Sequence, residues 1–206
     1  VSTKLTLEDL RLDKGAHKSP EDGLCVMEAV AYFSGIEHTD HPPCVSPIIG
    51  AFLRSWNDGL DDEQRQRLKP YILRVVGTNT GAADEDRRAW MVVDWLTRTL
   101  APAWLERANL NEHAAALRAL PELSSSELAA QAQSIVEAAR SAADAAWAAA
   151  WAAAWAAARA AARAAAWDAA WDAAWDALRP TVEVLQQSAF ELLDRLCEVG
   201  RTEAVS

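Results

Sequence analysis

The stretch AAWAAAWAAAWAAARAAARAAAWDAAWDAAWDALR, residues 145–179, decides the fold. Alanine has the highest helix propensity, and neither glycine nor proline occurs between Pro121 and Pro180, so nothing in the segment competes with a helix. Ser124-Ser125-Ser126-Glu127 has the capping-box pattern ahead of it. The spacing predicts one helix of about 54 residues over 123–179, roughly 80 Å long at 1.5 Å per residue. Within it Trp147, Trp151, Trp155, Arg159, Arg163, Trp167, Trp171, Trp175 and Arg179 recur every four residues. A step of four advances 400°, so each marked residue lies about 40° ahead of the last and the stripe winds round the helix. The two tryptophan triplets therefore face roughly opposite sides, with the arginines between them.

Working outward, the flanks are helical too. Beyond Pro180, Val182, Leu185, Ala189, Leu192, Leu196 and Val199 step by 3, 4, 3, 4 and 3, the spacing of a coiled-coil seam, and Gly200 is placed to end that helix. Before Pro121, Ser19-Pro20-Glu21-Asp22 predicts a helix start, with the helix over about 20–34 and Gly35 closing it. Ser46-Pro47 repeats the signal for a helix ending at Asn57-Asp58-Gly59. Asp61 or Asp62 caps a third helix, kinked at Pro70. A fourth starts at Asp84 with Ala89, Val93, Leu96 and Leu100 on its inner side until Pro102 interrupts it, and two short helices follow at about 102–109 and 112–119. The expected architecture is all-α: a compact helical domain over 1–122, the Ala/Trp helix over 123–179, a C-terminal helix over 180–200 and a tail over 201–206, the long helices forming a hairpin or bundle.

Composition narrows the function. The 206 residues carry 30 acidic and 20 basic side chains, a net charge of −10, which disfavours direct binding to phosphate backbones. Three cysteines, at 25, 44 and 197, are too few and too scattered for a disulfide framework. No signal-peptide pattern is seen, so the expected compartment is a reducing cytoplasm. The longest uninterrupted apolar run, Ala145–Ala158, is shorter than the ~18 residues a bilayer span needs, so no membrane span is expected. Val1 is what a GTG start codon translated literally would give. With the Ala, Arg and Trp richness it points to a bacterial or phage gene of high GC content.

Two constellations can carry function. The first is the repeat, because exposed tryptophan is costly and Trp and Arg are favoured interface anchors. Trp147, Trp151, Trp155, Arg159, Arg163, Trp167, Trp171 and Trp175 are its candidate partner-binding residues, for another protein or for self-association. The bland alternative is a spacer grown by slippage of a 12-nucleotide unit. Binding to a membrane surface is a weaker one, because Asp168, Asp172 and Asp176 sit where lipid affinity would want Lys or Arg. The second constellation is Cys25, His38, His41 and Cys44, two thiols and two imidazoles that could form a tetrahedral zinc site. Asp40-His41-Pro42 also fits a plain turn with local hydrogen bonds. Cys44 or Ser46 with His41 is the one arrangement for nucleophilic catalysis; no nucleophile elbow, phosphate loop or HExxH motif is present. Glu28 is the candidate buried acid, although a glutamate on an amphipathic helix more often faces water.

The stretches Gly23–Gly35 (GLCVMEAVAYFSG), His38–Pro47 (HTDHPPCVSP) and Phe52–Asp58 (FLRSWND) resemble a family of uncharacterised proteins from actinobacteria and their phages. The resemblance extends through Leu68–Gly77, Pro102–Leu105 and Leu178–Ser188, and similar proteins place a variable Ala-rich repeat before that ending. It implies a source and an architecture, not a reaction. The leading expectation is a non-enzymatic interaction or regulatory protein that uses the Trp/Ala helix for recognition, needing no cofactor. One concrete form is a phage regulator of a DNA-processing enzyme, such as an integrase directionality factor, acting through protein contacts. The competing class is a small zinc- or thiol-dependent enzyme built on Cys25, His38, His41 and Cys44.

Overall fold

The computed structural model describes the backbone of residues 5–160 and 164–201, and the side chains of residues 5–150 and 177–201. Among them every regular element is a helix, so the all-α expectation holds. Two compact units form, Val1–Ala89 with Leu193–Ser206, and Trp90–Leu192.

In the first unit α1 is Val26–Phe33, shorter than expected. Ser19-Pro20-Glu21-Asp22 closes a turn instead, with Asp22 N donating to the Ser19 carbonyl at 3.1 Å. The helix starts later because Cys25 is its N-cap and Glu28 reaches back to the Cys25 N–H, a reciprocal capping box with a thiol in place of the usual hydroxyl. Helix α2, Pro47–Gly59, runs as its punctuation predicts, with Ser46 Oγ accepting from Ile49 N at 3.2 Å. Its last carbonyls are met by buried Arg65, which donates to Asn57 O at 2.8 Å and Leu60 O at 2.7 Å. The expected third helix is broken into α3, Asp62–Arg65, a 3₁₀ turn over Gln66–Leu68 and α4, Tyr71–Arg74, with Pro70 as the N-cap of α4. Leu12, Val26, Val30, Ile49, Leu53, Leu68, Ile72 and Leu196 are buried core residues of this unit.

Helix α5, Ala82–Trp95, turns a different face inward than hydropathy suggests. Ala89 is half-buried and Val93 and Leu96 are exposed, whereas Arg88 and Trp95, two turns apart, are buried. Glu85 and Arg88, one turn apart, explain the choice. The Glu85 carboxylate accepts from Ser46 Oγ at 2.8 Å and Ile48 N at 3.2 Å at the start of α2. The Arg88 guanidinium donates to the carbonyls of Leu196 at 3.1 Å and Val199 at 2.6 Å, and Glu85 and Arg88 pair at 2.6 Å. An anion thus meets one helix N-terminus and a cation the end of another, the arrangement that helix dipoles favour.

The second unit continues α5 through a π-helical turn, Leu96–Leu100, into α6, Ala101–Arg107. Pro102 lies in the first turn of α6, so the helical run is not interrupted there. The widened turn stands directly before α6, as a single-turn bulge within a continuous helical run. Asn109, at φ 60°, ends α6 in the left-handed conformation that Asn tolerates, and α7 follows over Asn111–Arg118. Helix α8 is Ser126–Ala160. Its entry is held by Asp94, which accepts from Leu123 N at 2.8 Å and from Arg98 at 2.7 Å, while Arg98 donates to Leu120 O at 3.0 Å. Leu105, Ala114, Leu117, Leu120, Leu123, Ala132 and Ala139 form this unit's buried cluster.

The helix of about 54 residues is not described as one element. Helices α8 and α9 (Ala164–Glu198) have 35 residues each, and residues 161–163 lie outside the described residues. Pro180 does not separate a C-terminal helix, because it lies inside α9. The carbonyl of residue 176 loses its usual donor there, but the turns that follow are fixed by burial of Leu185, Ala189, Leu192, Leu196 and Val199, five members of the expected seam. In the first unit Gly200 follows the end of α9 at φ +74°, with the Thr80 and Asp84 side chains where a Cβ would stand. Gly200→Ala would add both left-handed strain and a collision, so we expect about 1–3 kcal/mol of destabilisation, measured by denaturant unfolding.

Candidate functional site

Two places concentrate what chemistry the described side chains offer. In the first unit Glu28 is only 1% exposed, not on the wet face that its helix suggests. Its carboxylate accepts from His17 N at 2.6 Å, His17 Nδ1 at 2.8 Å and Cys25 N at 2.8 Å, and His38 Nε2 lies at 3.6 Å. His38 Nε2 also donates to His17 O at 2.9 Å, and the buried His38 Nδ1 has no hydrogen-bond partner among the described residues. Gly23 makes room for this centre: at φ +132° a Cβ would stand 2.8 Å from both Asp13 Oδ2 and His17 Nε2. Burial would raise the Glu28 pKa, but the hydrogen bonds from His17 and Cys25 outweigh it and hold the carboxyl below its ordinary value.

This arrangement answers the metal and thiol expectations. Cys25 caps α1, and burial, with Glu28 beside it, pushes its thiol up to about 12, which suppresses the thiolate that a nucleophile needs. His38 faces Glu28, whereas His41 is exposed and pairs with Asp40 Oδ1 at 2.6 Å, with Thr39 Oγ1 accepting from its N–H at 3.0 Å. That is the plain turn. Cys25, His38, His41 and Cys44 therefore do not converge, and among the described residues no three His, Cys, Asp or Glu side chains are grouped to hold a metal ion. His41 and Ser46 line a cleft of about 160 Å³ with Arg54 and Asn79, but the Ser46 hydroxyl donates to Glu85, not to the imidazole. Ser46 and His41 therefore do not form a nucleophile and base pair.

In the second unit a groove of about 590 Å³ opens between α6 and α8. Ala139, Ala143, Ala146 and Ala150 supply the α8 side, at steps of 4, 3 and 4 that keep them on one face. Leu96 and Trp104 stand on the other wall, and Val136 and Trp147 flank the alanines. Arg140 is the one charged residue among the described residues that line it. Leu96, Trp104, Val136 and Trp147 are exposed large apolar side chains, Trp147 at 71%. Such a concave, apolar surface with few polar groups is the usual form of a binding site, and its volume falls within the ~300–1,000 Å³ range of ligand pockets.

Of the eight residues expected to bind a partner, Trp147 lies on this groove. The side chains of Trp151, Trp155, Arg159, Arg163, Trp167, Trp171 and Trp175 lie outside the described residues. The groove itself was missed. Its signal was Val136, Ala139, Ala143, Ala146 and Ala150, an apolar stripe at 3,4 spacing just ahead of the more conspicuous tryptophans. No helix among the described residues is long and apolar enough to cross a membrane. Comparison with protein-family models, curated proteins and solved structures found no match for this chain.

Proposed function

We propose that this chain is a non-enzymatic recognition protein whose second unit binds an apolar helix in the groove between α6 and α8, with Trp147 and the repeat that follows it extending the contact surface. The observation that carries the reading is the groove: an Ala-lined trough walled by Leu96, Trp104 and Val136. Alanines let a helix axis approach closely, and large side chains on the rim supply the area that anchors it. Interaction through helix faces is a recurring mode in which spaced apolar anchors give affinity and rim charges set orientation. The net charge of −10 favours a protein partner over nucleic acid.

The test is capture by the tagged full chain beside Trp104→Ala, Val136→Glu and a variant with Trp147, Trp151, Trp155, Trp167, Trp171 and Trp175 all replaced by alanine. Trp104 and Val136 are partly exposed, so these substitutions leave the buried cluster intact. Trp104→Ala should weaken a captured partner about thirtyfold, the ~2 kcal/mol of an interface hot spot. A partner retained equally by all four proteins would remove the groove from the mechanism.

A further inference from the structure

We propose that the cleft beside the start of α2 binds a short-chain carboxylate, with the carboxylate on the Arg54 guanidinium and the carbon chain against Met27, Val45 and the prolines. This site belongs to the first unit and stands apart from the groove of the second.

The geometry begins at Gly50. It lies inside α2, where glycine is a poorer helix former than alanine. A Cβ there would stand 3.2 Å from Arg54 Nη1 and 4.0 Å from Met27 Cε. Arg54 follows one turn later on the same face, and the missing side chain lets its guanidinium fold back over the helix. Gly50, Arg54 and Met27 all line the cleft of about 160 Å³.

The lining is cationic, and its other polar groups are already engaged. Arg54 Nη1 donates to Asp40 O at 2.9 Å, the one hydrogen bond that the described residues give a guanidinium with five N–H donors. His41 Nδ1 pairs with Asp40 Oδ1, Asn79 Nδ2 donates to Pro43 O at 3.0 Å, and Ser46 Oγ donates to Glu85. No acidic side chain is among the described residues that line the cleft. A planar guanidinium with spare donors matches the two oxygens of a carboxylate. Beside it Met27, Pro42 and Val45 are buried, with Pro43 and Pro47 exposed at the rim, so the body of the ligand is apolar. The volume is below the ~300–1,000 Å³ of drug-sized pockets, which sets that body at a few carbons. Phosphate would make the charge contact and leave the apolar side unused.

Methionine methyl NMR tests it, because the chain has two methionines and Met27 is the one that lines the cleft. Titrated into the full chain, sodium butyrate should shift the Met27 signal to saturation with a millimolar Kd and leave Met91 unmoved. Inorganic phosphate should bind about tenfold more weakly, the difference that burying two methylenes makes. Arg54→Gln should raise the butyrate Kd at least about tenfold, the least that a hydrogen bond to a charged group is worth. Gly50→Ala should weaken butyrate by crowding Nη1 while the melting temperature holds or rises, a split that a merely structural role for Gly50 would not give. A Met27 signal that butyrate leaves in place, or that moves with the same Kd in Arg54→Gln, overturns the site. Phosphate bound as tightly as butyrate overturns the carboxylate as its ligand.

Discussion

Replacing Arg88 by methionine should lower the stability of the first unit by about 3–5 kcal/mol, the cost of breaking a buried charge network from one side. Arg88 is 0% exposed. Its guanidinium serves Leu196 O, Val199 O, Glu85 Oε1 at 2.6 Å and Thr80 Oγ1 at 3.3 Å. Methionine fills a similar volume without a donor, so the last carbonyls of α9 lose their partner and Glu85 loses its counter-ion. Lysine should recover little, because one ammonium cannot reproduce a planar fork that reaches two carbonyls and a carboxylate. Hydrogen exchange of the α1 amides reports this unit separately from the other, which matters where two units need not unfold together. Protection within ~0.5 kcal/mol of wild type, the range of a neutral surface change, would show that the network contributes nothing.

Glu28→Ala carries the second large effect, about 3–5 kcal/mol, because it leaves the His17 and Cys25 N–H groups and two imidazoles around an empty buried site. Its pH dependence has a definite sign. The folded carboxyl lies below the ordinary value of 4.5, so Glu28 stabilises fully above that value, and its contribution is lost as the pH falls through the folded pKa. The gap between wild type and Glu28→Ala should be full above the ordinary value of 4.5 and should narrow as the pH is lowered below it, measured by urea unfolding across an acid series. A gap that widens on acidification would mean the carboxylate is not the stabilising form.

Where punctuation is made by ordinary capping residues, the chain can be read directly. Ser46-Pro47 and Gly59 bound α2, and Asp61 caps α3. Errors arose where long-range partners outweigh local preference. Ser19-Pro20 is the better cap by side-chain chemistry, but Glu28 selects Cys25, since only there can one carboxylate serve both a helix start and two histidines. Hydropathy put Val93 and Leu96 inside α5; Arg88 takes the inner face because carbonyls more than a hundred residues away need a donor. Pro180 stops a helix in isolation and fails to here, because the apolar residues after it are held by packing. The site was half visible: the repeat drew attention to Trp147, but a groove needs two walls, and no periodicity within α8 announces Leu96 or Trp104 opposite it.

The bonds from Arg88 to Leu196 and Val199 span 108 and 111 residues of sequence. At ribosomal speeds of roughly 5–20 residues per second, the arginine waits about 5–20 s for its acceptors to be synthesised. The first unit therefore cannot mature during translation of the repeat, and a nascent chain paused there presents an unfinished core to chaperones and proteases. A shift of frame within the repeat replaces Leu193–Val199, whose burial holds those main-chain carbonyls in front of Arg88, whereas gain or loss of whole codons keeps them. Completion of the first unit thus waits on residues translated only after the whole repeat.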